Sequence, residues 1–287
     1  MTQPKVGIIG YGWVGKAMKQ LFPDALIFSH NKDLHGNEMK EEDWDKSIKL
    51  FRAEINKCEA AFICVPTPCP AEGKLDIDSV AEAVSWLETP LIVIRSTLNP
   101  GDSDMMEAAF GKKLVVQPEY LGETPNHPLL DTKNTPFLII GSRHWKLRKA
   151  LIDLYAGVYN ANVHIKQVNG YAAEIIKLTE NRAIAWKVAQ CQELYDVCEK
   201  ANIDYYTIRD AVYGDDPRMN LWWTFIMPGK RGFISKCIPK DVYAWAAFAE
   251  SIGYSPVLTR ALLKKNKQWM KLNKPGRKSP SNKKKSN

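Results

Sequence analysis

Short apolar runs alternate with helical stretches through the first half of the chain. The apolar runs predict strands at residues 5–9, 25–29, 60–65, 91–96, 113–117 and 137–141. Helical patterns are predicted up to about Phe22, at 77–87 and at 102–110, while residues 30–47 are polar and predict loop with some helix. Strands and helices that alternate at these lengths are typical of βαβ units and a parallel sheet.

The pattern changes near residue 145, and helix dominates the second half. No glycine or proline interrupts residues 171–201, and apolar residues recur there at helical spacing. A second helical stretch is predicted at about 240–272, and the intervening segment 215–239, which contains proline and glycine, is predicted as loop. The chain is therefore assigned to the α/β class, with a parallel-sheet domain followed by a mostly helical domain.

Three glycines directly follow the first predicted strand. Gly10, Gly12 and Gly15 form the pattern G-x-G-x-x-G between an apolar strand and a helix. Such glycines allow a tight turn and the close approach of a pyrophosphate, whose charge the helix N-terminus favours. The surrounding βαβ pattern disfavours the alternative, a glycine turn without a ligand. The predicted domains are a Rossmann-type, dinucleotide-binding domain at 1–165, a helical domain at 166–272 and a disordered basic tail at 273–287.

The end of the second predicted strand bears on the choice of cofactor. An acidic residue usually stands there and binds the adenosine ribose of NAD. Here the segment reads Ser29-His30-Asn31-Lys32, and the first acid is Asp33. A polar and basic loop could accept the 2′-phosphate of NADP, whereas NAD binds if other groups hold the ribose. We expect NAD, with NADP as the open alternative.

Basic residues are concentrated at the end of the sequence. The net charge is +8, but residues 264–287 carry ten Lys or Arg and no acid, and the remainder has 30 basic and 32 acidic residues. Because the body is close to neutral, nucleic-acid binding by the fold is not expected.

The six cysteines form no C-x-x-C pair, so neither a metal site nor a disulfide framework is expected. Without a signal-like start or a bilayer-length apolar run, we expect a cytoplasmic protein.

Seven short motifs follow one another in a fixed order. They are Gly10–Gly15 (GYGWVG), Val65–Pro68 (VPTP) with Gly73–Asp76 (GKLD), Arg95–Thr97 (RST) with Pro100-Gly101, Pro118–Glu123 (PEYLGE), Glu174–Asn181 (EIIKLTEN), Asp216–Arg218 (DPR) and Cys237–Asp241 (CIPKD). This set resembles the UDP-glucose/GDP-mannose dehydrogenase family, whose corresponding motifs include P-E-F-L-R-E, E-x-x-K-x-x-x-N and C-x-P-K-D. A single motif is weak, but the ordered set is specific.

The resemblance implies oxidation of a primary alcohol on a nucleotide sugar, first to an aldehyde and then to a carboxylate, with two cofactor turnovers. Cys237 matches the nucleophile of the family, whose thiolate would hold the aldehyde as a thiohemiacetal and later as a thioester. Lys236 and Lys240 place positive charge beside it, which favours a thiolate. The alternative for Cys237 is a buried structural cysteine.

Five further residues match catalytic positions of the family. Lys177 and Asn181 are spaced i, i+4 on one helix face, and they match the pair that holds the developing oxyanion and a water. Glu119 and Asp241 match carboxylates that handle protons and water, and Thr97 matches a residue near the nicotinamide. The alternatives are an exposed helix lysine and solvated loop acids.

The resemblance also implies two sets of binding residues, and no metal. The cofactor set is Gly10, Tyr11, Gly12, Trp13, Val14, Gly15, Ser29, His30, Lys32, Val65, Pro66, Thr67, Ser96, Thr97, Glu123 and Lys240. The substrate set is Glu119, Tyr120, Leu121, Lys177, Asn181, Arg218, Phe233 and Cys237. The expected partners are a small nucleotide-sugar substrate and a second copy of the chain, joined in a homodimer through the helix at 170–201.

The sequence departs from the family at two points. The family has a third, C-terminal domain that closes over the nucleotide, and no counterpart follows the helical domain here. The family also has a glycine-rich G-Y-G-G-S-C, where this chain reads Gly232-Phe-Ile-Ser-Lys-Cys237, which restricts the backbone and adds bulk. Two alternatives therefore stand beside the nucleotide-sugar dehydrogenase: a binding protein without turnover, and a two-domain dehydrogenase with another alcohol substrate.

Overall fold

The computed structural model describes residues 4–70, 73–122, 129, 131–227 and 229–273. The chain divides into two compact units, residues 1–180 and 181–287. The boundary lies inside the long helix of the second half, later in the chain than the boundary at 165 that the sequence predicts. The predicted tail, beyond residue 273, lies outside the described residues. Within the described part, no helix has the combination of length and apolar character that crossing a bilayer requires.

The first unit is built on a seven-stranded sheet. Its strands are β1 (Val6–Ile9), β2 (Leu26–Phe28), β3 (Ala60–Ile63), β4 (Leu91–Ile94), β5 (Leu114–Val116), β6 (Phe137–Gly141) and β7 (His164–Val168), in the order β2-β1-β3-β4-β5-β6-β7. All neighbours are parallel except β5 and β6, which pair antiparallel through Val116 and Gly141. The predicted Rossmann-type sheet is thus confirmed, with one antiparallel step.

Both faces of the sheet are covered, so the central strands are apolar throughout. Every residue of β1, β3 and β4 is buried, as expected for parallel strands between helices. The covering helices are α1 (Trp13–Leu21), α2 (Glu41–Ile55), α3 (Asp78–Trp86), α4 (Asp102–Phe110) and α5 (Trp145–Tyr155). One core cluster contains Ile55, Leu87 and Met106, and the other contains Met18, Phe62 and Tyr155.

Three elements of this unit differ from the sequence prediction. The polar segment that was predicted as loop with some helix leads into α2, which has four turns but buries only Phe51 and Ile55. Helix α5 and strand β7 were not among the predicted elements, although the predicted domain extends to residue 165. The strand β7 lies at an edge, and its residues are exposed or half-buried, so it carries no apolar run.

The second unit is helical. It contains most of α6 (Gly170–Ala201), and then α7 (Tyr205–Arg209) with a following π-helical turn, α8 (Ile238–Ser251) and α9 (Val257–Met270). The single helix predicted at 240–272 is therefore two helices. Gly253, with φ of 82°, lies in the break, where a left-handed conformation ends α8. The segment between the π-helical turn and α8 is loop, as predicted.

A buried carboxylate ties α6 to α4 within the first unit. Glu174, 1% exposed, accepts hydrogen bonds from the backbone N–H groups of Gly101 at 2.6 Å and Ser103 at 2.9 Å. These donors lie in the first turn of α4, where a negative charge is favourable. Burial nevertheless raises the pKa of Glu174 to about 7, against the effect of these hydrogen bonds and with a smaller contribution from Asp102.

This pKa predicts a pH-dependent stability. Between the ordinary value of 4.5 and about 7, the folded chain keeps a proton that the unfolded chain has released, so stability falls as pH rises through this window. We expect unfolding in urea to show a loss of up to about 3 kcal/mol between pH 5 and pH 8, and Glu174→Gln to remove that part of the dependence. Equal pH profiles for the two proteins would contradict the assignment.

Candidate active site

The glycine turn after β1 leaves no room for larger residues at two of its three glycines. Gly10 has φ of 89°, and a Cβ there would lie 2.8 Å from the backbone oxygen of Cys64. A Cβ on Gly15 would overlap the backbone oxygen of Gly10, whereas a Cβ on Gly12 would meet nothing within 4 Å. The turn therefore packs tightly against β3 and is open above Gly12.

This turn fits a dinucleotide. The N-terminus of α1 begins at Trp13, and no side chain caps it, so its backbone N–H groups and its positive dipole face the open space at Gly12. A pyrophosphate would satisfy both. Tyr11 and Val14 are half-buried against the core, and Trp13 is half-exposed.

The basic residues after β2 are engaged with carboxylates. Lys32 forms an ion pair with Glu38, and His30 lies 3.9 Å from Glu41. Asp33 accepts from the backbone N–H groups of its own loop, so it holds that loop. Binding of NADP would require a basic side chain in this loop that is available to a phosphate. In the structure, the Lys32 ammonium is paired with the Glu38 carboxylate instead.

The ends of β3 and β4 lie beside the glycine turn. Ser96 donates from its hydroxyl to the backbone oxygen of Val65 at 2.7 Å, which joins the two strand ends. Thr67 is buried, Thr97 is half-buried and Pro66 is exposed. Ligands of open parallel sheets bind outside the carboxyl ends of the strands, so this is the expected side. Glu123, the remaining predicted cofactor contact, lies outside the described residues.

Glu119 follows β5 and is held by three donors. One carboxylate oxygen accepts from the backbone N–H groups of Tyr120 at 2.7 Å and Leu121 at 2.8 Å, and the other pairs with Arg95. Arg95 is 3% exposed. Glu119 is therefore a fixed, largely buried carboxylate and differs from the solvated loop acid that was the alternative.

Lys177 reaches the same region of the first unit. Its side chain is 9% exposed, and Nζ lies 4.7 Å from the centroid of the Tyr120 ring, a cation–π contact. It is thus not an exposed helix lysine. The neighbouring Glu180 was not singled out from the sequence, because a glutamate in the middle of a helix carries no motif of its own.

In the second unit, Asn181 and Asp241 meet. The Asn181 amide donates to one oxygen of Asp241, and the Lys240 ammonium donates to the other at 2.7 Å. Asp241 is completely buried in the first turn of α8, so the alternative of a solvated loop acid is excluded. Lys240, predicted both as a cofactor contact and as a charge beside the cysteine, shares its charge with Asp241.

Cys237 stands at the start of α8 and is half-buried. Its backbone oxygen accepts from the N–H of Asp241 at 3.1 Å, so the thiol and the buried carboxylate are one helical turn apart. Ser235 accepts from the N–H of Ile238 at 3.1 Å and starts this helix. Lys236 is exposed.

Two asparagines near the end of α9 hold the loop before Cys237. Asn266 accepts from the N–H of Phe233 at 2.8 Å and donates to its backbone oxygen at 3.1 Å. Asn273 likewise accepts from the N–H of Arg231 at 2.5 Å and donates to the backbone oxygen of Arg231 at 3.0 Å. Between them, Gly232 has φ of 82°, and a Cβ there would overlap Asn266. The loop is therefore ordered although it lacks the glycine-rich sequence of the family.

Two predicted substrate residues are placed differently from the others. The Phe233 side chain is 3% exposed and packs in a core cluster with Trp269. The Arg218 side chain is 84% exposed and forms a forked ion pair with Asp216.

The covered parallel sheet, with the open glycine turn at its first crossover, defines a dinucleotide-binding protein of the Rossmann class. More particularly, the chain belongs to the UDP-glucose/GDP-mannose dehydrogenase family. The NAD binding domain of this family matches residues 37–159, and its central domain matches residues 171–268. The first unit is therefore an NAD-binding domain, and the glycine turn precedes the matched range.

Relatives of known name support this membership. The chain is 25% identical over 265 residues to a UDP-glucose 6-dehydrogenase of Rickettsia bellii, covering 89% of this chain and 59% of that protein. It is 28% identical over 236 residues to a GDP-mannose 6-dehydrogenase of Pseudomonas savastanoi, covering 75% and 52%. The chain thus spans little more than half the length of these relatives.

Solved structures show the same fold. A UDP-glucose dehydrogenase from Pyrobaculum islandicum aligns with a TM-score of 0.74 and 22% identity, covering 93% of this chain and 68% of the other. A UDP-D-ManNAc dehydrogenase from Pyrococcus horikoshii aligns with a TM-score of 0.73 and 18% identity, covering 92% and 68%. At this identity the likeness establishes the fold alone.

The Lys32–Glu38 pair predicts that Glu38 disfavours NADP. In Glu38→Gln the Lys32 ammonium is released for a 2′-phosphate, so NADPH should bind about fivefold more tightly while NADH binding stays unchanged. Fluorescence titration with each reduced cofactor measures this. Glu42→Gln is the matched control, because it removes the same charge from an exposed residue nearby. Equal NADPH affinities in both variants would rule out Glu38 as the determinant.

Proposed function

We propose that the chain oxidises a primary alcohol of a nucleotide sugar to a carboxylate in two NAD-dependent steps. The observation that carries this proposal is the buried Asp241, held by Asn181 and Lys240 one turn from Cys237. Burying a carboxylate costs free energy unless fixed partners compensate its charge. Such an arrangement beside a nucleophile is typical of an active site. Family membership and the names of the relatives support the same reaction.

In the proposed reaction, the glycine turn at Gly10–Gly15 would hold NAD, which would supply the hydride acceptor for both oxidations. The first oxidation releases the hydroxyl proton and leaves an aldehyde. The Cys237 thiolate adds to the aldehyde carbon, and the resulting thiohemiacetal loses the second hydride to become a thioester. Water then attacks the thioester, which gives the carboxylate and restores the thiol. Asn181 would supply a donor for the oxyanion at each addition, and Asp241 would accept a proton from the attacking water.

Replacing the nucleophile tests the proposal. With UDP-glucose or GDP-mannose, we expect two NADH per sugar from the unaltered chain, and Cys237→Ala to lose carboxylate formation by at least about 1000-fold. Cys69→Ser, the other half-buried cysteine, is the matched control and should keep the activity. Absorbance at the nicotinamide band and mass analysis of the product measure both. Cofactor binding without any reduction across the sugar panel would favour the non-catalytic binding protein.

We also propose that the chain is a homodimer. Five large apolar side chains of the second unit are exposed between 42% and 51% along one loop, namely Met219, Leu221, Trp222, Phe225 and Met227. An exposed apolar patch of this kind is typical of a protein interface. Arg218, at the start of this loop, would lie at the interface.

Light scattering checks the oligomeric state. The mass at micromolar concentration should be twice the 32.5 kDa of the chain, and Trp222→Glu should reduce it to one chain because a buried charge at an interface is unfavourable. Lys230→Glu, which alters an exposed polar residue nearby, should leave the dimer intact. A monomeric mass for the unaltered chain would contradict the proposal.

A further inference from the structure

Four large apolar side chains are exposed at the turn between α8 and α9. They are Ile252 (63% exposed), Tyr254 (62%), Val257 (67%) and Leu258 (68%). Of the large apolar side chains that the structure describes, these four have the highest exposed fractions. Single exposed apolar residues are ordinary, whereas several within seven residues form a patch that is typical of an interaction surface. We refer to residues 252–258 as the apolar corner.

A row of exposed residues on α9 begins at the apolar corner. The row consists of residues 257, 261, 264, 268 and 271, all of which are exposed. They are separated alternately by four and three positions, so they lie on one face of the helix. The opposite face is fixed in the core of the second unit, where Leu262, Leu263 and Trp269 are buried. Because Lys264 and Lys271 stand in the row, the apolar corner continues into a basic face.

The positive charge of this face is not balanced by nearby acids. The sequence has eleven Lys or Arg and no acid between residues 251 and 287. The carboxylate that directly precedes this range, Glu250, is already paired with Arg260, at 2.6 and 2.8 Å. Within the described residues, neither Lys264 nor Lys271 forms an ion pair. The face therefore attracts anions, and its charge is available to a partner.

An anionic lipid bilayer matches both parts of this surface. Its headgroups attract lysines that approach the membrane, and the boundary between headgroups and acyl chains accepts exposed apolar side chains. A nucleic acid would engage the lysines through its phosphates, but it would leave Val257 and Leu258 in water. A purely apolar partner would cover the corner, but it would take the charges of Lys264 and Lys271 out of water without compensation.

We propose that the apolar corner and the lysine row of α9 bind an anionic lipid bilayer, with the corner inserted among the headgroups. Each of the two helices has 14 residues, whereas about 20 are needed to cross a bilayer, so the chain binds at the membrane surface. The proposal goes beyond the oxidation proposed above, because no residue of this surface is assigned to the cofactor or to the substrate.

Sedimentation of the full chain with lipid vesicles tests the proposal. Vesicles of phosphatidylcholine alone are compared with vesicles that also contain about 30% phosphatidylserine, at about 0.1 M salt. We expect binding only when phosphatidylserine is present, and its loss at about 0.5 M salt, because salt screens exposed charges. Equal binding to both kinds of vesicle, or binding to neither, would overturn the proposal.

Charge reversal tests the lysine row. The double variant Lys264→Glu/Lys271→Glu should bind the phosphatidylserine vesicles at least about tenfold more weakly. The matched control is Lys46→Glu/Lys49→Glu, which changes the net charge equally at exposed residues of α2 and should bind like the unaltered chain. Equal vesicle affinities of the two double variants would overturn the proposal, because the attraction would then not depend on the row.

Removal of apolar side chains tests the corner. Val257→Ser/Leu258→Ser should also weaken vesicle binding at least about tenfold, whereas Leu50→Ser, which alters a residue of α2 that is 61% exposed, should not. NADH affinity should stay the same in every variant, which shows that each one is folded.

Two results of the corner variant would assign this surface to another partner. Unchanged vesicle binding, together with tight binding of a DNA duplex by the unaltered chain, would assign the lysines to nucleic acid. A monomeric mass in light scattering, where the unaltered chain is a dimer, would assign the corner to the contact between two copies. Either result would overturn the proposal.

Discussion

Exclusion of water from both faces of the central strands governs the arrangement of the first unit. The strands β1, β3 and β4 contain only buried apolar residues, glycine included, so their interior has no position for a charge. Polar groups therefore gather where the strands end. Arg95 and Ser96 follow β4 directly, and Gln117 and Glu119 follow β5. The polar and charged side chains of this unit therefore lie at this edge, because the interior of the sheet is apolar.

At this edge, buried charges are stable only because they hold one another. Arg95 secures Glu119, and Glu119 secures the backbone that carries Tyr120. The second unit repeats the principle with Asp241, Asn181 and Lys240. Removing one member of such a set leaves the other charges buried and unpaired, which costs several kcal/mol in typical cases. Each set is therefore a cooperative unit.

The elements with continuous apolar runs could be predicted from the sequence, and so could the glycine turn and the CIPKD segment. Elements without such runs could not: β7 lies exposed at an edge, and α2 buries only two of its residues. The sequence also does not reveal which residues pair with the charged side chains. Nothing in the sequence near Lys32 or Glu119 shows that Glu38 and Arg95 engage them, since pairing depends on the path of the backbone. The sequence likewise does not show that the distant residues Asn266 and Asn273 hold the loop before Cys237.

The contact between Gly36 and Tyr11 limits how this chain can change during evolution or in the laboratory. A Cβ on Gly36, where φ is 90°, would lie 2.9 Å from the Tyr11 ring. The hairpin after β2 is thereby fitted to the middle of the glycine turn. Exchanging that hairpin for one from another dehydrogenase, a common way to alter cofactor preference, would displace the turn unless a glycine were kept at the same place. The two segments therefore have to be redesigned together.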